Sequence, residues 1–238
     1  MTTISHDFKR VFVWEAPVRL SHWINVLSIL TLIGTGILIG NPPAFMSGAE
    51  ATNQYWFGTN RFIHFLTAYI FTFNMVYRIF WSFMGNKYAS WKQFFPYNKK
   101  GLKNTLYVLK EHIFLQNEKV YNFRNNFIGH NPVASISYSL LFILMIIQVL
   151  TGFGLYADNA TWFFPKLFGW VIPLVGGDAT ARFIHHLATW GFVIFTVIHV
   201  YLAMWHDWLE GRGEISSMFG GYKFIRKERM NKEEDKND

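Results

Sequence analysis

Nine histidines occur in the 238 residues, and five of them, His22, His64, His185, His186 and His199, stand inside long apolar stretches. An imidazole in hydrocarbon is costly and by default marks a functional position. Taken singly, each could equally bond a backbone carbonyl of a neighbouring helix, but their arrangement favours ligation. His22 opens the first apolar stretch and His64 opens the second, from opposite sides if successive stretches are antiparallel. His185 opens the fourth, and His199 lies near its far end. Two levels result, each with two histidines from different helices: His64 with His185, and His22 with His199. Paired imidazoles on facing helices are the arrangement that holds a haem iron from both faces. The chain has no cysteine, so thiolate metal sites, iron–sulfur clusters and covalent C-x-x-C-H haem attachment are excluded.

Helix geometry chooses between the neighbours His185 and His186. At about 100° per residue, the fourteen steps from His185 to His199 fall about 40° short of four full turns, whereas His186 is offset by about 140°. His185 is therefore the expected ligand and His186 a packing or hydrogen-bonding neighbour. At about 1.5 Å per residue, the two ligand levels are about 21 Å apart, a spacing suited to two haems relaying electrons across a membrane. Arg19, Arg61 and Arg182 each stand three residues before His22, His64 and His185, on the same helix face. There they can meet the anionic propionates of a haem, although Arg19 could equally be an ordinary anchor at the membrane surface. Arg78, fourteen residues after His64, reaches the other level and could serve a haem or another anionic ligand there. Gly36, Gly152 and Gly154 could let a macrocycle approach the backbone or could simply mediate helix packing.

Four spans must position these residues: 20–40, 62–83, 133–156 and 183–205. Each approaches or exceeds the about 20 apolar residues that cross a bilayer, the second being interrupted by Arg78. Composition agrees, with 51% hydrophobic residues, 19% aromatic and only 16% charged, against about 25% charged in soluble domains. The first run is too long for a signal peptide and has no small-residue cleavage site. Basic residues collect before the first span, between the second and third, and in the tail 206–238. Lysine and arginine mark the cytoplasmic side, so both termini are expected there. The +7 net charge then reflects topology and anionic lipid, with no nucleic-acid partner required. Leu102, Leu106, Leu109 and Ile113 recur at helical spacing in the long loop and predict an interfacial helix. The polar tail from Gly221 onward is expected to fray.

The segments VWEAPVRLSHW (13–23), RFIHFLTAYIFTFNMVYRIFWSFMGNKY (61–88), RFIHHLATWGFVIFTVIHVYLAMWHDW (182–208) and ISSMFGGYKF (215–224) resemble the b-type cytochrome subunits of membrane-bound nickel–iron hydrogenases. These belong to a wider group of four-helix di-haem cytochromes b. The resemblance implies an all-α integral membrane protein: a four-helix bundle of one domain, 1–238, with two non-covalent b haems. Residues 22, 64, 185 and 199 correspond to the axial ligands. It further implies hydrogenase small and large subunits on the periplasmic side of the inner membrane, and membrane quinone as electron acceptor. On this reading the chain is an electron-transfer subunit that does not itself split hydrogen. It leaves the quinone pocket unidentified, with Arg78, His206 and Asp207 near the cytoplasmic level, where a solvated face explains them equally well. Two alternatives are a cytochrome of a formate dehydrogenase or similar oxidoreductase, and a histidine-bearing metal transporter. The transporter predicts carboxylates along its path, yet the first, third and fourth spans contain no Asp or Glu.

Overall fold

A computed structural model describes residues 8–44, 55–91, 132–210 and 213–226. The elements run β1 (Phe8–Phe12), α1 (Ala16–Gly40), α2 (Trp56–Met84), α3 (Pro132–Ala157), α4 (Phe163–Lys166), α5 (Val171–Val175), α6 (Asp178–Glu210), α7 (Glu214–Gly220) and β2 (Tyr222–Arg226). The interfacial helix expected around Leu102–Ile113 lies outside the described residues. Among the described residues three helices are long and apolar enough to cross a membrane: Ala16–Gly40, Ala134–Ala157 and Asp178–Trp205. The remaining expected span, 62–83, lies within α2, which at 29 residues is also long enough. Its end regions carry Arg61 and Arg78, and its apolar character is lower. Each helix outruns its apolar window, because backbone hydrogen bonding continues into the polar flanks.

The solvent for which these helices are built is visible in their surfaces. Leu27, Leu30, Phe73, Phe80, Ile194 and Val197 are all exposed, and only 11% of the apolar window of α1 is buried. In water such surfaces would aggregate; against acyl chains they are neutral, and packing and interhelical hydrogen bonds hold helices together instead.

The chain divides into two compact units. Unit 1 comprises Met1–Arg19, Ile79–Leu140 and His199–Asp238. In it β1 and β2 pair antiparallel, from Phe8 opposite Arg226 to Phe12 opposite Tyr222. The tail was expected to fray from Gly221 onward, and for Tyr222–Arg226 that expectation is corrected. These residues alternate aromatic or aliphatic with basic side chains, and β1 supplies the backbone partners. The amides of Val13 and Trp14 both donate to the Gly221 carbonyl. Lys223, almost wholly buried, pairs with Glu214 at 2.7 Å and lies over the Trp14 ring; Arg10 stacks on Tyr222. Glu15 accepts from the Trp81 indole at 3.0 Å and from the Asn86 amide at 2.9 Å. The Asn86 side chain donates to the Val13 carbonyl. Val13, Trp14, Val18 and Ala89 fill the small core beneath.

Gly221 is essential to this knot. It has φ +83°, and a Cβ there would lie 2.6 Å from the Trp14 carbonyl oxygen and 2.8 Å from the Phe12 ring. Left-handed backbone strain alone costs of order 1–3 kcal/mol for a residue with a side chain. Gly221→Ala should therefore destabilise the ribbon by at least that amount, read as a lower thermal midpoint of the protein in detergent, whereas Gly220→Ala, which meets nothing within 4 Å, should change it little.

Unit 2 comprises Leu20–Arg78 and Leu141–Ile198. Phe71, Met75, Met145, Val149, Phe153 and Phe192 form its core. Interhelical polar ties fix the register of α1 against α2: Asn74 donates to the Ser21 carbonyl and to Asn25, and Asn60 donates to the Thr35 carbonyl at 3.0 Å. Such ties contribute about 0.6–2 kcal/mol each in a membrane. The connection from α3 to α6 contains α4 and α5. Phe164 of α4 meets Phe153 edge-on and Tyr69 at a tilt, Phe168 stacks on Phe153, and Trp162 donates to the Tyr69 hydroxyl.

Candidate haem-binding site

Two of the expected histidines occupy matching seats in unit 2. His64 on α2 places its Nδ1 2.8 Å from the Thr35 hydroxyl of α1. His185 on α6 places its Nδ1 2.9 Å from the Thr151 hydroxyl of α3. In both seats the next residue along is glycine. A Cβ at Gly36 would stand 3.4 Å from the His64 Cε1, and one at Gly152 would stand 3.1 Å from the His185 Cε1. Each ring thus lies against bare helix backbone, with a threonine at its Nδ1 edge. Both rings are half-buried, and His185 is close enough to interact electrostatically with His64 and with His186.

The His185 seat carries a second layer. Gln148, one turn before Gly152 on α3, donates to the His185 carbonyl at 3.1 Å and to the Thr189 hydroxyl at 2.8 Å. Thr189 donates to the same carbonyl at 2.9 Å. The His64 seat has Asn60 instead, four residues earlier on α2, gripping the carbonyl of the same Thr35 that meets the ring. His186 stands apart: it is exposed, and its ring lies against Gly40, 3.3 Å from where a Cβ would be.

His22 belongs to unit 2 and His199 to unit 1. His22 is half-buried and lies edge-on to Trp23. His199 is half-buried and meets Tyr138 edge-on, with centroids 6.4 Å apart.

Among the arginines, Arg61 and Arg182 are exposed. The Arg61 guanidinium lies between the rings of Phe57 and Phe65, 5.8 and 5.6 Å from their centroids. Arg19 donates to the Phe219 carbonyl, which ties the start of α1 to α7. Arg78 is half-buried on α2. Asp207 accepts from the Glu214 amide at the start of α7, a structural use of that carboxylate. The side chain of His206 lies outside the described residues. Gly154 does not face a histidine: a Cβ there would meet Phe168, Val171 and Ile172 at 3.3 Å, so this glycine admits the α4–α5 connection against α3.

The residues present fit a haem. A macrocycle needs two imidazoles from different helices and small residues beside them, and the α2 and α6 seats supply both. Among the described residues no group of three or more His, Asp or Glu is placed to hold a metal ion. The threonines were not singled out from the sequence. The dipeptide Thr-Gly occurs at 35–36 and again at 151–152, but only folding sets each pair opposite a histidine.

Known proteins resemble this chain over most of its length. Residues 13–221 match the prokaryotic cytochrome b561 family. A protein of Azotobacter chroococcum named "Probable Ni/Fe-hydrogenase B-type cytochrome subunit" is 38% identical over 224 residues, 92% of this chain and 90% of the relative. One of the same name from Cupriavidus necator is 36% identical, over 92% of this chain and 89% of its own. The "Probable Ni/Fe-hydrogenase 1 B-type cytochrome subunit" of Escherichia coli K12 is 32% identical over 89% and 90% respectively. With apolar helices of spanning length, a histidine pair in twin seats and likeness over nine-tenths of its length, the chain belongs to the prokaryotic cytochrome b561 family, among the hydrogenase-associated b-type cytochrome subunits.

Proposed function

We propose that this chain anchors a nickel–iron hydrogenase to the inner membrane and carries electrons from hydrogen oxidation on the periplasmic side to membrane quinone. Its partners are then the small iron–sulfur and large nickel–iron subunits, and it is not itself the catalyst. The observation that carries the reading is the pair of matching seats for His64 and His185. One haem b is assigned to these two residues and a second to His22 and His199, the latter on helix spacing and depth in the sequence. Bound haem supplies one-electron relay between the partner's clusters and quinone. The protein's own part is to hold the four imidazoles, to exclude water with the apolar residues around them, and to offer Arg61 and Arg182 to propionates at the first level. Arg19 and Arg78 are the cations available at the second. The topology proposed has four crossings, α2 included as the second, and both termini cytoplasmic.

The pyridine haemochrome spectrum of purified protein tests the cofactor content. Two b haems per chain are expected; one or none would remove the di-haem reading. A neighbouring hydrogenase gene pair, rather than formate dehydrogenase genes, is the expected genomic context.

A further inference from the structure

The twin threonines have a chemical consequence beyond packing. A hydroxyl has one proton to donate. Thr35 donates its proton to the Thr31 carbonyl at 2.6 Å, and Thr151 donates its proton to the Ile147 carbonyl at 2.6 Å. Each threonine oxygen can therefore meet the nearby imidazole only as an acceptor. The Nδ1 of His64, at 2.8 Å, and the Nδ1 of His185, at 2.9 Å, must then carry the ring proton. In a neutral imidazole this leaves Nε2 with its lone pair. We infer that Thr35 and Thr151 are positioning residues that fix His64 and His185 as Nδ1–H tautomers, so that both present Nε2 to one iron and both are made more basic ligands. The inference rests on the assignment of a haem to these two histidines.

The helical setting explains why threonine does this. Back-bonding to the carbonyl four residues earlier is the usual habit of threonine within a helix, and it turns the oxygen's lone pairs outward. Thr72 makes the same back-bond, to Ala68 at 2.8 Å, and serves as an internal control. Hydrogen-bond partners of ligating histidines commonly change metal affinity tenfold to a hundredfold. An acceptor at Nδ1 also stabilises the ferric over the ferrous state, because it makes the imidazole a stronger donor.

The test uses the full-length haem-loaded protein in detergent, with Thr35→Val, Thr35→Ser, Thr151→Val, Thr151→Ser and Thr72→Val compared by redox titration and by haem retention on dilution. The two valine variants should each raise the midpoint potential of one haem, the same haem in both cases, and weaken its retention about tenfold or more. The serine variants and Thr72→Val should match the parent protein. If a valine variant does not assemble, alanine at that position reads the same potential. Unchanged potentials in the valine or alanine variants, shifts in two different haems, or an equal shift in Thr72→Val would overturn the tautomer role. His64→Ala and His185→Ala, made in parallel, separate the two claims. If they keep both haems, the site assignment falls and the tautomer role with it. If they lose one haem while the threonine variants are silent, only the tautomer role falls.

Discussion

His185→Ala is expected to leave the purified protein with one haem instead of two, while His186→Ala keeps both. The two side chains are adjacent in sequence and have the same chemistry, so the contrast isolates geometry. His185 is half-buried with its ring on Thr151 and against Gly152; His186 is exposed and lies beside Gly40. An alanine at 185 has no ligand atom, and a haem with one axial imidazole remaining should lose the low-spin spectrum along with most of its binding. Haem content by pyridine haemochrome, and the optical spectrum before extraction, measure both effects. Loss of haem from the His186 variant alone would show that the helix angle picked the wrong neighbour.

The second large effect is expected from His199→Ala, which should abolish hydrogen-to-quinone activity of the assembled complex while sparing hydrogen oxidation with a soluble dye. The dye takes electrons from the partner subunits before they reach the membrane. On the proposed function, quinone reduced at the level of His22 and His199 would receive electrons that have crossed the bilayer. Moving one charge through the full potential costs about 2.3 kcal/mol per 100 mV, so sealed vesicles turning over hydrogen and quinone should build a membrane potential. That arrangement would need no carboxylate chain, since protons would be released on one side and taken up on the other. Electroneutral turnover in tightly sealed vesicles would place quinone reduction on the outer side and overturn this arrangement.

Much of the architecture was legible because hydropathy is a direct record of the solvent. The apolar windows at 20–40, 133–156 and 183–205 all fall inside observed helices, as does 62–83. Their ends were not legible, since hydropathy says where lipid begins and not where backbone hydrogen bonding stops. Glu15 illustrates this: its carbonyl accepts from Val18 and Arg19, starting α1 before the apolar run. The ribbon was missed because a five-residue strand can be recognised only through its partner, and here the partner is about two hundred residues away. The same holds for the histidine seats. His64 and His185 could be found from residue type and depth. Thr35 and Thr151 could not, because a threonine in an apolar helix ordinarily satisfies itself and carries no sign of what will face its oxygen.

The ribbon also bears on counting. Strands β1 and β2 exchange backbone hydrogen bonds, so they lie on one face of the bilayer. A chain whose two ends are clasped on one face must traverse the membrane an even number of times. Among the described residues hydropathy alone picks out three helices, an odd number that by itself would put Phe8–Phe12 and Tyr222–Arg226 on opposite faces, about 30 Å of hydrocarbon apart. Counting Trp56–Met84 as a crossing, as proposed above, gives the even number that the ribbon requires. Chain order also makes the clasp a late event in synthesis, since the second strand emerges only after every helix has had its chance to insert.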